Sequence, residues 1–272
     1  MIRCSELLNI LTNKPIDNSE KLLEISSNLY NLCEEKKLEN IDLTNDTFIN
    51  SIKDTKGFIT IVKTFIDEKS KYDKYQNDDL SEAIKNNIQK IWLQENYYFI
   101  PYTKKDEVYS LFKGIYLEDE AIKMLNLIYN KNFVKNKIRF KYKNLSGEPD
   151  VIDDDIHDVK VSLNWETFRE VKELSNIYYW QMLGYLILTN KTKAFVHYCL
   201  IGSPEILPKY YSNYVETERI INSIDIKDRI KTFEVSEQTY PTLREDIKFI
   251  FKRLNKVQEY YNSLDYYKCM NL

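Results

Sequence analysis

The spacing of apolar residues changes along this chain, and the change restricts the folds that it can form. Up to about Lys105 the apolar residues recur at helical spacing, as in "SEKLLEISSNLYNLCEEKK". Between Lys137 and Leu163, three short stretches instead show the alternation of strands: "KIRFKYKN", "GEPDVID" and "IHDVKVSL". A mainly helical first part followed by clustered strands predicts helices packed against a sheet.

Further segments complete the predicted order. A helix of about Gly114 to Tyr129 precedes the strands, and a helix of about Ile177 to Leu188 follows them. The apolar stretch "AFVHYCLIG" predicts another strand, and the end of the chain predicts one long amphipathic helix with Pro241 in its first turn. The order α–β–β–β–α–β predicts an α/β, or α+β, fold with a mixed central sheet flanked by helices.

Length and composition predict one folded domain. The 272 residues are 43% hydrophobic and 30% charged, as in ordinary globular proteins, and only 5 Gly and 6 Pro argue against long linkers. We expect a single domain over 1–272. It would comprise a mainly helical part at 1–113, a core at 114–202 and a C-terminal helical extension at 203–272.

Charge and cysteine spacing exclude several classes of protein. The formal net charge is −3, so any contact with nucleic acid has to be local. The four cysteines form no C-x-x-C pair, which excludes the usual zinc and iron–sulfur spacings. The N-terminus lacks the apolar segment of a signal peptide, and no apolar run is long enough to span a membrane. We therefore expect a cytoplasmic protein without membrane contact.

The segment from Gly147 to Phe168 is unusually acidic for a pair of strands, because it contains five aspartates and one lysine. Three of the aspartates are consecutive, at 153–155, and predict the turn of a hairpin, where short polar side chains bond their own backbone. The other two aspartates and the lysine remain to be explained.

Strand geometry brings these remaining residues together. Side chains alternate along a strand, so Asp158 and Lys160 share one face while His157 and Val159 lie on the other. The predicted hairpin places Asp150 opposite Asp158 across the ladder. Facing carboxylates destabilise a sheet unless something neutralises them, and a hard divalent cation with oxygen ligands does so. The pattern favours a Mg²⁺ or Mn²⁺ site that acts on a phosphodiester, with the lysine stabilising charge on the phosphate.

Each of these residues also has an ordinary structural explanation. Asp150 can end a strand, and Asp158 with Lys160 can form a surface ion pair that binds nothing. Glu118, in the acidic stretch "EDE", can belong to a solvated helix face. A buried stripe with satisfied polar tips also explains three residues along one side of the helix after the strands, namely Tyr178, Gln181 and Tyr185.

The order of four short motifs nevertheless matches that of a known superfamily. G-x-x-x-E ends at Glu118, P-D ends at Asp150, D-x-K runs from Asp158 to Lys160 and Q-x-x-x-Y begins at Gln181. This order resembles the PD-(D/E)XK nuclease superfamily, in the branch of lambda-type exonucleases and RecB-type nuclease domains. The resemblance implies a nuclease core in which a mixed sheet is flanked by helices.

The resemblance further implies a role for each motif residue. The ligands of the Mg²⁺ or Mn²⁺ ion would be Glu118, Asp150, Asp158 and the backbone carbonyl of Val159. The catalytic lysine would be Lys160. The helix residues that orient the site and contact the nucleic-acid backbone would be Tyr178, Gln181 and Tyr185. Asp158 stands where the family more often has Glu, although the family pattern allows either acid.

The N-terminal stretch "IRCSELLNILT" is similar to the R-x-S segment of lambda-type exonucleases, where it helps to bind the 5′ end of DNA. By that resemblance Arg3 and Ser5 would bind DNA. A guanidinium, a hydroxyl and the N-terminus of the following helix together provide donors that suit a phosphate. The alternative is that Ser5 only caps the helix and Arg3 is an ordinary surface charge.

The sequence therefore predicts a metal-dependent DNA nuclease, most simply an exonuclease that acts on duplex ends in phage recombination or genome processing. Two alternatives stay open: a structure-selective endonuclease on the same fold, and a DNA-binding or virion component without catalysis. Expected partners are DNA, a single-strand annealing recombinase and further copies of the chain.

Overall fold

The computed structural model describes residues 2–11, 19–35, 58–77, 80–97, 105–203, 214–266 and 269. The chain divides into two compact units, one made of Met1–Leu11 with Ala83–Leu272 and the other of Thr12–Glu82. The prediction of a single domain over 1–272 stays a prediction, because compact units of this kind also occur inside single domains.

The helices in these ranges are α1 (Leu7–Leu11), α2 (Ser19–Glu35), α3 (Phe58–Asn77), α4 (Glu82–Tyr97), α5 (Lys105–Tyr129), α6 (Trp165–Glu170), α7 (Asn176–Thr189), α8 (Tyr214–Ser223) and α9 (Leu243–Asn262). The strands are β1 (Ile2–Arg3), β2 (Phe140–Tyr142), β3 (Leu145–Gly147), β4 (Val151–Ile152), β5 (Ile156–Val161), β6 (Ala194–Cys199) and β7 (Ile230–Val235). Within these ranges, no helix combines the length and apolar character needed to cross a membrane.

In the smaller unit, α2 packs against α3. Leu29 and Val62 are buried there. The carboxylate of Glu68 is also buried, and it accepts hydrogen bonds of 2.8 Å from the ammonium groups of Lys21 and Lys71. A buried carboxylate with two such partners satisfies its charge locally.

The strands of the larger unit form two hydrogen-bonded sheets, in the orders β1-β3-β2 and β4-β5-β6-β7. In the second sheet β5 and β6 are parallel, while β4 and β7 are antiparallel to their neighbours. The second sheet is the mixed sheet that the sequence predicts, and the first is a further small sheet. The alternation in "GEPDVID" predicts one strand, but the stretch is divided between β3 and β4. Pro149 lies between them and has no N–H to donate to a neighbouring strand.

Helix α5 covers one face of the second sheet. Ala121, Leu125 and Phe133 form a buried cluster with Val159 on β5 and Cys199 on β6. The helix begins at Lys105, nine residues before the predicted start, so it runs across the expected boundary between 113 and 114. It is followed by Asn130 at φ 50°, a left-handed conformation that asparagine tolerates well.

Helix α7 matches its predicted range to within one residue at each end. It lies against β3 and the N-terminal segment, where Cys4 packs into a space left by two glycines. A Cβ atom at either Gly147 or Gly184 would lie only 2.7 Å from the Cys4 Sγ atom. Glycine is therefore required at both positions for the N-terminal segment to pack here.

Two predictions about the C-terminal part need correction. The region 203–272 is not entirely helical, because β7 lies in it and pairs with β6 over six residues. The prediction missed β7 because its alternating segment "IKTFEV" is short and lies between helices. Helix α9 begins at Leu243, so Pro241 precedes the first turn instead of lying in it.

Candidate active site

Strand β5 places Asp158 and Lys160 on the same face, as the alternation predicts. Their charged groups are in contact, with 2.6 Å between Lys160 Nζ and Asp158 Oδ2. Asp158 is only 1% exposed, whereas the Lys160 side chain is 22% exposed and reaches solvent. On the other face His157 and Val159 pack beneath α5 and the loop that follows it.

Asp150 adjoins this pair from the end of β4. The register Val151↔His157 puts Asp150 opposite Asp158, one residue beyond the last paired position of β4. Its Oδ2 atom accepts a 2.7 Å hydrogen bond from the Val159 N–H. The predicted turn at 153–155 closes the hairpin, with the Asp155 N–H bonded to the Asp153 side chain at 2.9 Å.

Asp150, Asp158 and Lys160 bring together two carboxylates and one ammonium, and this imbalance of charge affects pKa values in the site. Burial raises the pKa of Asp150 well above its usual range, and the neighbouring Asp158 carboxylate raises it further. Burial alone would lower the pKa of the Lys160 ammonium, but the carboxylates of Asp158 and Asp150 outweigh this effect and raise it. Two carboxylates thus share one ammonium, which remains charged at any working pH.

The Asp158 carboxylate is the group in the site that most needs a further ligand. Among the residues that the structure describes, none donates a hydrogen bond of good geometry to either oxygen, although the Lys160 ammonium is close. Buried carboxylates almost always have such donors. Two buried carboxylates that share one ammonium suit a hard cation such as Mg²⁺ or Mn²⁺.

The backbone near Asp158 offers another oxygen. The N–H and C=O of one residue point to the same side of a strand, so the Val159 carbonyl faces the side on which its N–H bonds to Asp150. In a continued ladder the residue opposite Val159 would be Pro149, which cannot donate a hydrogen bond. The P-D motif therefore leaves this carbonyl without its ladder donor, next to the two carboxylates.

Glu118 lies on α5, and its side chain is turned toward a lysine. Its carboxylate is 3.1 Å from Lys135 Nζ, which also lies 3.2 Å from Asp119. Glu118 is near enough to contribute to the raised pKa of Asp150. Over the described ranges, however, no three His, Cys, Asp or Glu side chains converge as a metal-binding group. The structure thus brings Asp150, Asp158 and Lys160 together, and leaves Glu118 at the edge of the site.

The residue after Lys135 is part of the site although the sequence analysis did not identify it. The Asn136 N–H donates to the Asp150 carbonyl at 2.7 Å, and its side-chain amide donates to the Pro149 carbonyl at 2.9 Å. The same side chain accepts from the Ile138 N–H at 3.0 Å, which fixes its own orientation. Asn136 therefore holds the P-D segment in place.

Helix α7 supports the site from the other side. Gln181 donates to the Tyr185 hydroxyl at 2.8 Å, and that hydroxyl donates to the Glu148 carbonyl at 3.3 Å. Both side chains are buried, and burial raises the pKa of Tyr185 so that it stays protonated. The Tyr178 ring centroid lies 4.9 Å from Lys160 Nζ, a cation–π contact.

The N-terminal residues lie on the first sheet. Arg3 on β1 pairs with Ser146 on β3, and the side chains of Arg3 and Ser5 are exposed. Ser5 lies inside a short 3₁₀ helix, Cys4–Glu6, so it does not cap that helix, contrary to the alternative interpretation of this residue. The cap position belongs to Arg3, whose N–H donates to the Glu6 carboxylate at 2.8 Å.

Comparison with known proteins identifies the fold. No protein-family model and no curated protein sequence matches this chain. Among solved structures, a phage-related exonuclease from Haemophilus somnus 129PT aligns with a TM-score of 0.60 and 21% sequence identity, covering 69% of this chain and 85% of that one. The chain has the fold of this exonuclease. The predicted fold class, a mixed sheet flanked by helices, is thereby confirmed.

A second solved structure is more distant. The alkaline exonuclease from Laribacter hongkongensis aligns with a TM-score of 0.46 and 11% identity, over 67% of this chain and 83% of that one. A likeness at that level does not establish a shared fold.

Proposed function

We propose that this protein is a metal-dependent DNA nuclease that hydrolyses phosphodiester bonds. The observation that carries the proposal is the buried Asp158 carboxylate. It contacts the Lys160 ammonium and lies beside Asp150, but it has no hydrogen-bond partner of good geometry among the residues that the structure describes. The fold shared with a phage-related exonuclease supports the same assignment.

Asp150, Asp158 and the Val159 carbonyl would hold the ion, which is Mg²⁺ or Mn²⁺ because the donors are all hard oxygen atoms. Glu118 joins them only by exchanging its contact with Lys135 for one with the ion. A divalent ion held there supplies Lewis-acid activation of the phosphate and of the attacking water.

Lys160 stabilises negative charge and does not act as a base. Its ammonium is kept protonated by the two carboxylates, so it cannot accept the proton of the attacking water. It can orient that water by donating a hydrogen bond, and it can offset the charge that develops on the phosphate. Tyr178 places a ring face against the ammonium and limits its rotation.

Gln181 and Tyr185 orient the site through the Glu148 carbonyl, one residue before Pro149. Both are too deeply buried to offer much surface to a nucleic acid, which favours the orienting role over direct DNA contact. Contact with the DNA backbone falls instead to the half-buried groups at the surface of the site, which include Tyr178 and Lys160.

The substrate proposed is duplex DNA with free ends, in phage recombination or genome processing in the cytoplasm of the host. Arg3 and Ser5 are exposed and would bind a terminal 5′-phosphate. A single-strand annealing recombinase and further copies of the chain are the proposed protein partners.

Digestion of linear duplexes and covalently closed circles tests the function. We expect loss of linear DNA only, with Mg²⁺ or Mn²⁺ but not with Ca²⁺ or chelator. We also expect faster digestion of 5′-phosphorylated than of 5′-hydroxyl ends, a preference that Arg3→Ala with Ser5→Ala reduces. Cleavage of closed circles would identify an endonuclease, and the absence of any metal-dependent cleavage would leave only a DNA-binding role.

A further inference from the structure

A cavity of about 320 Å³ lies on the opposite face of the sheet from the candidate active site. Helix α5 ends at Tyr129, so its aliphatic side chains do not extend over the part of the sheet that lines this cavity. The part of the sheet that lines the cavity carries His157, His197 and Thr232, where the part beneath α5 carries Val159 and Cys199. The volume is within the usual range of small-ligand sites.

A continuous chain of hydrogen bonds forms one wall of this cavity. It connects Asp153 to His157 at 3.1 Å, His157 to His197 at 3.0 Å, His197 to Thr232 at 2.9 Å and Thr232 to Tyr129 at 2.8 Å. An ionised aspartate can only accept, so it fixes the direction of every donor along the chain when both imidazoles are neutral. Neither imidazole then has a donor left for a ligand in the cavity.

Aromatic rings form another part of the lining. The His157 ring stacks on Phe195, with 5.3 Å between centroids and 12° between planes, and its centroid lies 4.4 Å from that of Phe133. Aromatic faces carry negative partial charge and attract cations. A flat cation can therefore lie against this surface.

The charged side chains that line the cavity also favour a cationic ligand. The carboxylates of Asp153, Asp154 and Asp155 line the cavity, and the opposing charge in the lining is that of Lys131. The Lys191 ammonium lies behind this turn, bonded to the Asp153 and Asp154 carbonyls. Acceptors and ring faces outnumber donors in the lining, so a neutral acceptor or an anion would find few partners.

We propose that this cavity binds a guanidinium group, either of a free small molecule or of an arginine side chain on a partner protein. A guanidinium is flat enough to lie against the aromatic rings of the lining and carries N–H donors in its plane for the carboxylates. The proposal does not depend on the proposed nuclease activity, because the cavity and the candidate active site lie on opposite faces of β5.

Calorimetric titration of the full-length protein tests the proposal. The probes are methylguanidinium, its neutral analogue methylurea, and a pentapeptide with a central arginine, capped at both ends. We expect methylguanidinium to bind at least tenfold more tightly than methylurea. Binding of the peptide as well would indicate an arginine of a partner protein, and exclusion of the peptide would indicate a free small molecule.

Two variants and a control locate the binding. Asp155→Asn should weaken methylguanidinium binding about tenfold, the effect of losing one charge-assisted hydrogen bond, and Lys131→Ala should strengthen it by removing a competing charge. Glu166→Gln, an exposed carboxylate on α6, should change nothing. Equal binding of methylurea, no binding of any guanidinium compound, or full affinity in a folded Asp155→Asn protein would overturn the proposal.

Discussion

At the scale of single residues, the most consequential group is the Asp150 carboxylate, which is buried beside a second carboxylate. A folded-state pKa above the unfolded value adds stability that is complete at low pH and is lost as pH rises through the raised pKa. The metal-free protein should therefore be less stable at neutral pH than it would be without this charge.

We accordingly expect Asp150→Asn to melt at a higher temperature than wild type in chelator at neutral pH. The corresponding gain in unfolding free energy should be on the order of 1 kcal/mol or more. The same variant should not cleave DNA. Thermal melting from pH 4 to 8 is the measurement. A variant that melts lower than wild type at neutral pH would show that the carboxylate is already neutralised within the protein.

Lys160→Ala separates charge stabilisation from metal binding. Because the ammonium acts on the phosphate and the water, its loss should reduce the maximal cleavage rate by about 10²- to 10³-fold. It should also leave Mn²⁺ binding intact or slightly tighter, since a competing cation is removed. Cleavage assays at saturating metal, together with Mn²⁺ titration, measure both effects. Weaker Mn²⁺ binding with an unchanged rate would assign Lys160 to the metal site instead.

At the scale of elements, the segment that includes Lys135 and Asn136 sets the position of two acidic residues at once. Lys135 holds Glu118, and Asn136 holds Pro149 and Asp150. The alternation of β5 was enough to predict the shared face of Asp158 and Lys160. Asn136 could not be predicted, because it lies in an irregular segment whose partners are set by the tertiary fold and not by periodicity.

We expect Asn136→Ala to raise the Mg²⁺ concentration needed for half-maximal cleavage by about 10-fold, as is usual when support for a metal ligand is lost. The maximal rate at saturating Mg²⁺ should change less. Asn126→Ala is a matched control, because Asn126 makes a similar pair of bonds to the Phe133 backbone. If both variants shift the Mg²⁺ dependence equally, Asn136 acts through general stability and not through Asp150.

At the scale of the whole molecule, the sheet separates two polar groups: the carboxylates and lysine on one face, and the histidine chain on the other. The sequence predicted correctly that His157 faces away from Asp158, but it did not predict His197 as its partner. That pairing depends on β5 and β6 being parallel and in register, with Val159 opposite His197. Residue spacing along one strand carries no information about the register of the next.

The histidine chain makes stability depend on pH. Burial, and then His157, lowers the pKa of His197 to about 3, and burial lowers that of His157 although Asp153 and Asp155 oppose it. When folding lowers the pKa of a base, then at a pH between the folded and unfolded values the base is protonated in the unfolded state but not in the folded state. Stability is therefore complete above the unfolded value of 6.5 and falls as pH decreases below it.

We expect the contribution of His197 to the free energy of unfolding to fall between pH 7 and about pH 5, above the range where most carboxylates titrate, while protonation of Asp150 acts in the opposite direction in wild type and variant alike. His197→Gln should lose less unfolding free energy than wild type over the same interval, even if its stability at pH 7 is lower. Denaturant unfolding at each pH, with both proteins compared, checks this. Parallel curves for the two proteins would mean that His197 does not contribute to the pH dependence.

Because Cys4 is packed between two glycines, the rate at which its thiol is alkylated should report the rate at which the N-terminal segment opens. Burial raises the pKa of this thiol, and the close approach of Gly147 and Gly184 leaves no path for an alkylating reagent in the closed state. Iodoacetamide should thus modify Cys4 only as fast as the segment detaches, so that the labelling rate becomes independent of reagent at high concentration. Peptide mapping of Cys4 over time would then report how often Arg3 and Ser5 leave β3 and α7.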